Sequence, residues 1–170
     1  MATDRRPEGD ATLRVIGVAG DDPAGTLLRT YATACDLWTS GRRTLLAMTG
    51  LDGDDDPGPG SGPARPGVRD LLLALPLAAP AMHARLIRAA IVPGDAVRPH
   101  LLPAGIAPPT PPSGAAIELL LEGLRQLSLD DVLVPIEVRG DPWTPHVDGV
   151  LGAWSPAVPG RQRARREAAR

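Results

Sequence analysis

The chain has 170 residues, 43% of them hydrophobic, and a formal net charge of -2. That length and composition allow one buried core, hence one domain, and the charge excludes a broadly basic nucleic-acid binder. Cys35 is the only cysteine, which excludes an intrachain disulfide or a cysteine-rich metal site and fits a reducing compartment. Phe is absent and Tyr31 is the only tyrosine, so Leu, Val, Ile and Ala must do nearly all the packing. With 19 Gly and 20 Pro, much of the remaining chain is expected as turn or irregular loop. The start MATDRRPEGD is polar and leads into only a short apolar run. No signal peptide and no transmembrane segment are expected, and the expected location is cytoplasmic.

In chain order, LRVIGVA (13–19) reads as a short buried strand, followed by GDDPAG as a turn in which Pro23 suits the start of a helix. From Thr26 to Ser40, Leu27, Leu28, Tyr31, Ala34, Cys35 and Trp38 recur at helical spacing and are expected on its buried face. Gly41 offers a left-handed cap, and TLLAM (44–48) is a second strand. Strand, helix and strand within about 35 residues fit a crossover between parallel strands. Residues 52–67, DGDDDPGPGSGPARPG, read as a flexible loop.

Helix resumes at VRDLLLAL (68–75), is interrupted by Pro76 and Pro80, and continues at 81–91. A short strand is expected about Leu101–Leu102, then a rigid proline-rich loop. AAIELLLEGLRQLSL (115–129) is the clearest helix, with Ile117, Leu120, Leu121, Leu124 and Leu127 in one stripe. DVLVPIEV (131–138) reads as strand, with Pro135 awkward in a central ladder, and 147–154 as one more. Alternating helices and nonalternating apolar strands give a three-layer α/β fold with a mostly parallel sheet. The expected organisation is a flexible 1–12, one domain over 13–154, and a basic, disordered tail at 155–170.

A working phosphate loop needs glycines, a lysine for the phosphates and a hydroxyl for Mg²⁺. Gly20 and Gly25 stand at the right separation, but Thr26 occupies the lysine position and Leu27 the hydroxyl position. Asp21 and Asp22 carry the wrong sign for a polyphosphate. Arg29 lies one turn later, with no reason in the sequence to bring it back.

The chain nevertheless resembles the P-loop ATPases of the ParA/MinD group, and especially the cytoplasmic domains of bacterial exopolysaccharide tyrosine kinases. The resemblance runs over roughly 13–153 through collinear segments. GRRTLLAMTG (41–50) stands for the family's GRRVLLVDAD. GVRDLLL (67–73) stands for the start of its next helix, and LLPAGIAPPTPPSGAAIELLLEGLRQL (101–127) for its LLPAG segment with prolines and helix. LDDVLVPIEV (129–138) stands for FDYVLIDTPP, and VDGVLGA (147–153) for the strand that follows.

The resemblance implies a reduced P-loop NTPase-like domain whose reactive groups are gone. The loop of Gly20, Gly25, Thr26 and Leu27 is vestigial, the acidic residue closing the second strand falls on Met48, and the carboxylate of IDTPP falls on Pro135. No catalytic residue, cofactor or metal is expected. Because ParA-type relatives dimerise around nucleotide, it implies pairing with an active ATPase homologue or with a polysaccharide or secretion apparatus.

The remaining candidates are weaker. His83, His100 and His146 are not spaced as a metal site. Cys35 reads as a packed small hydrophobe. Asp52, Asp54, Asp55 and Asp56 lack the spacing of a calcium loop, and RGD at 139–141 is chance. Residues 161–170 carry five Arg against one Glu, so this tail is +4 and the rest, with the whole at -2, is -6. Arg161, Arg163, Arg165, Arg166 and Arg170 are therefore interaction candidates toward an acidic protein, a nucleic-acid backbone or an anionic membrane, together with Trp143 and Trp154. The expected function is interaction or regulation without catalysis. The alternatives are an ATPase or kinase with a nonstandard phosphate loop, using Arg29 with Asp22 or Asp130, and a structural adaptor unrelated to ATPases.

Overall fold

Short apolar runs become the central strands here because both their faces find helices to cover them. In the computed structural model, which describes residues 12–20, 22–49, 65–137 and 140–152, β1 (Arg14–Ala19), β2 (Thr44–Ala47), β3 (His100–Leu102), β4 (Asp131–Ile136) and β5 (Gly149–Leu151) form one sheet. All five strands are parallel, in the order β3-β2-β4-β1-β5. Every residue of β2 and β4 is buried, the signature of strands covered on both sides.

Helix α1 (Pro23–Thr39) covers one face. Helices α2 (Val68–Ala74), α3 (Pro80–Ala90) and α4 (Gly114–Arg125) cover the other. Along β4, Leu133 points to α1 while Val132, Val134 and Ile136 point to the three-helix layer. This two-fold alternation divides one apolar run between two cores. The larger core centres on Leu45, Leu75, Ile87, Leu102, Ile117, Leu120 and Leu124, all fully or nearly fully buried. Replacing Ile117 with Ala is expected to cost about 2–5 kcal/mol in equilibrium unfolding. A loss below that range would mean the three-helix core is looser than drawn.

The buried face of α1 differs from its hydrophobic pattern. Thr26, Thr30 and Ala34 face the sheet, while Leu27, Leu28 and Tyr31 are exposed, Leu28 by 70%. The threonines can be buried because each hydroxyl donates to a carbonyl one turn back, Thr26 to Asp22 and Thr30 to Thr26, both at 2.7 Å. Small side chains then let the helix lie close against Val18, Leu46 and Leu133. Elsewhere the boundaries shift by a few residues. α1 starts at Pro23 rather than Thr26, α4 ends at Arg125 rather than 129, and the last strand shrinks to three residues.

Pro135 does lie in a central strand, and the ladder explains why it is tolerated. The β2–β4 pairing stops at Leu46 opposite Leu133, so no partner carbonyl needs the missing N–H. The Pro135 carbonyl on that side instead accepts the Thr49 hydroxyl at 2.8 Å.

At the amino edge of the sheet, the fully buried Asp131 carboxylate is gripped by two guanidiniums. Arg14 approaches from β1 at 2.6 Å, and Arg42, just before β2, bonds through Nε and through Nη2 at 3.0 Å. Burial alone would raise this carboxyl, but the bonds from Arg42 and Arg14 outweigh it and hold it below the ordinary carboxylate range. Three strands are thereby tied together at their starts.

Candidate functional site

Ligands of open α/β sheets bind outside the carboxyl ends of the strands, where neighbouring connections leave in opposite directions. Here β1 connects across β4 toward β2, and β4 connects across β1 toward β5. The switch point therefore lies between the ends of β1 and β4, and the described residues there are Gly20, Asp22, Pro23, Glu137 and 140–143.

The turn after β1 is tight. β1 ends at Ala19 and α1 begins at Pro23, so Gly25, expected in the turn, sits in the first helical turn. Asp22 is the N-cap: its Oδ1 accepts the Gly25 amide at 2.7 Å and its carbonyl accepts the Thr26 amide at 2.9 Å. Pro23 contributes no N–H. Of the amides that open this helix, Pro23 has none and the Gly25 amide is engaged by the chain's own Asp22 carboxylate. Gly20 is required for packing, since a Cβ there would stand 2.6 Å from the Thr26 hydroxyl oxygen.

The positions of the vestigial loop follow suit. Thr26, standing for the lysine, is 2% exposed and turned into the helix, and Leu27 is 36% exposed at the surface. The 170 residues contain no lysine at all, so none of them can take its place. Arg29 does reach back, its Nη1 donating to the Ala19 carbonyl at 3.3 Å. This puts one guanidinium at the carboxyl tip of β1, a placement that no local pattern predicts. Asp130, weighed as a metal organiser, lies before β4 at the opposite edge, where it binds the Arg43 amide at 2.7 Å. A six-residue strand separates it from the turn by ~20 Å, so it cannot join Arg29 and Asp22. Met48 is half-buried against the α1 core.

Beside the switch point, a cleft of about 580 Å³ opens at the ends of β2 and β4, lined by Thr49, Arg69, Glu137, Asp141, Trp143 and the prolines 109, 111 and 112 among others. Its polar groups largely build its own walls. Asp141 accepts the Glu137 amide at 2.7 Å and the Trp143 amide at 2.8 Å, Arg69 donates to the Ala107 carbonyl at 3.1 Å, and Ser113 caps α4.

Asp70, not among the residues expected from the sequence, fixes the proline-rich wall. It accepts the amides of Gly67 and Ile106 at 2.9 Å and of Ala107 at 3.1 Å. Burial tends to raise its carboxyl, yet these bonds prevail and lower it. The legible signal was an acidic residue three positions after Gly67 at a helix start.

Other expected residues disperse. His83 is buried beside the Ala78 carbonyl, His100 lies on β3, and His146 lies in the short 3-10 turn Thr144–His146. Among the described residues, no three His, Cys, Asp or Glu side chains are grouped to hold a metal ion. Cys35 is half-buried on α1. Trp143, an interaction candidate for which core-edge packing is the commoner fate, is 2% exposed and packs in the larger core, where its two-ring apolar body gains more than on the surface. Trp154, Arg161, Arg163, Arg165, Arg166 and Arg170 lie outside the described residues, as do Asp21 and the acidic run 52–56. No helix among the described residues is long and apolar enough to cross a membrane. The sequence matches no protein-family model and no curated protein.

Proposed function

We propose that this chain is a non-catalytic, P-loop-like domain that acts by interaction or regulation, pairing with an active ATPase or with a polysaccharide or secretion apparatus. One observation carries the reading: the helix start where a P-loop protein would hold phosphate is capped by Asp22 and opened by Pro23. An anion approaching it meets the like charge of the Asp22 carboxylate. The carboxyl-edge cleft, with proline and leucine walls and few uncommitted polar groups, is the surface offered to a partner segment.

Titrating Mg-ATP into the purified chain is expected to show no binding tighter than high micromolar, by calorimetry. Tighter binding abolished by Arg29→Ala would replace this reading with the second one, a nucleotide-binding protein using a nonstandard loop. That second reading draws on the Arg29 guanidinium at the tip of β1. For the partner, a pull-down from the native organism with and without residues 161–170 is decisive. Loss of every partner on truncation would place the contact in the arginine tail, and unchanged partners would place it on the folded domain.

A further inference from the structure

The segment between α3 and β3 turns back on itself and is clasped to α1. Val92 and Leu101 exchange backbone bonds at 2.7 and 3.0 Å, which fixes the base of the turn. At its tip Asp95 accepts the amides of Val97 and Arg98 at 3.0 and 2.9 Å. Two side chains then hold the turn in place. Trp38 of α1 donates its indole N–H to the Asp95 carbonyl at 2.8 Å. His100 accepts the Gly94 amide on Nδ1 at 2.8 Å, while its ring meets the Trp38 indole edge-on, centroids 4.9 Å apart at 72°.

We propose that His100 is a proton-operated latch: neutral, it holds residues 93–99 against α1, and protonated, it releases them and uncovers Trp38. The chemistry is in the Nδ1 atom. As an acceptor it must be unprotonated, with the ring's single proton on Nε2. A proton on Nδ1 would set N–H against the Gly94 N–H and cancel that bond. The apolar surface that Leu28 and Tyr31 already expose on α1 would then extend along the helix to Trp38.

The groups around the ring leave this proton as the control. From α1 comes Trp38, with Tyr31 and Cys35 farther back on the same helix. From the turn come Asp95 and Arg98, paired at 2.7 Å, and from β2 the apolar Leu45 stands opposite in register. The Val97 amide and Arg98 hold Asp95 below the ordinary carboxylate range, so it titrates in a more acid window. Burial lowers His100 from its ordinary value of 6.5. A depressed folded value means the latch contributes fully above the unfolded value and is lost as pH falls through the folded one.

The test is an NMR titration of the full chain from about pH 7 to about pH 5. The His100 ring, the Gly94 amide and the Trp38 indole N–H are expected to shift together with one inflection below 6.5. Protection of the Gly94 amide from exchange, corrected for its intrinsic pH dependence, is expected to fall about tenfold, as for one lost hydrogen bond. His100→Asn, whose side-chain oxygen replaces the acceptor without titrating, is expected to keep Gly94 protected and flatten the Trp38 response. If His100 titrates while the Gly94 and Trp38 signals stay fixed, or if His100→Asn leaves the transition in place, the latch is wrong. The measurement uses no nucleotide and no partner, so it stands or falls apart from the proposed function.

Discussion

Replacing Asp131 with Ala is expected to lower unfolding stability by about 2–4 kcal/mol, measured by chemical denaturation. That figure sits below the loss for a fully buried pair, because the guanidiniums left behind can still hydrate; their side chains are 51% exposed for Arg14 and 38% for Arg42. The cost arises because two like charges, from β1 and from the segment before β2, would face a buried space that had held their shared anion. Asp131→Asn should lose less, keeping the volume and one acceptor.

The pH dependence has a definite sign. The folded carboxyl is held low, so its contribution is complete above the ordinary carboxylate value of ~3.9 and disappears as pH falls through the folded value. Wild type and Asp131→Asn should converge in strong acid and diverge toward neutrality. Arg43→Ala is the control, since its 3.7 Å contact to Asp130 is solvent-exposed and worth little. Equal stability of wild type and Asp131→Ala would show that the strand starts are held by the core alone.

Gly67→Ala is expected to cost about 3 kcal/mol, at the upper end for overpacking a close contact. Its new Cβ would overlap the Pro103 carbonyl oxygen and stand 2.6 Å from the Gly105 nitrogen, all backbone atoms. No rotamer change relieves that, so α2 and the proline-rich wall of the cleft must separate. Gly123→Ala supplies the contrast. Its Cβ would overlap only the terminal methyl of Ile87, which can rotate, and the helix gains up to about 1 kcal/mol of propensity. A Gly67→Ala protein as stable as Gly123→Ala would mean the 103–107 segment is not seated on α2.

The strand–helix–strand over residues 14–47 was legible because apolar runs, a proline at a helix start and Gly41 in a left-handed conformation (φ 86) are local signals. α4 was legible for the same reason: its stripe of Ile117, Leu120, Leu121 and Leu124 is the stripe it buries. The face of α1 was not. Counting hydrophobicity favours Leu27, Leu28 and Tyr31, but a helix laid closely on a sheet selects small side chains, and Thr26 and Thr30 become acceptable only once their hydroxyls find carbonyls. At the candidate site, the missing lysine and the aspartates were plain in GDDPAG. That Asp22 would be spent as a cap, that Arg29 would fold back to Ala19, and that Asp130 would lie at the far edge all depend on where α1 begins and how β4 is threaded.

By itself, then, the order of residues determined which segments are strands and helices, that the central strands are buried on both faces, and which charged groups a phosphate loop would lack. Those properties are set by side-chain chemistry at spacings of two to four residues. The tertiary structure alone decided the strand order β3-β2-β4-β1-β5, the joining of Arg14, Arg42 and Asp131 across three strands, the burial of Trp143 and the clasp of His100 on Trp38. Each of these pairs residues far apart in the chain, and such contacts are selected by how whole layers close on one another rather than by any local preference.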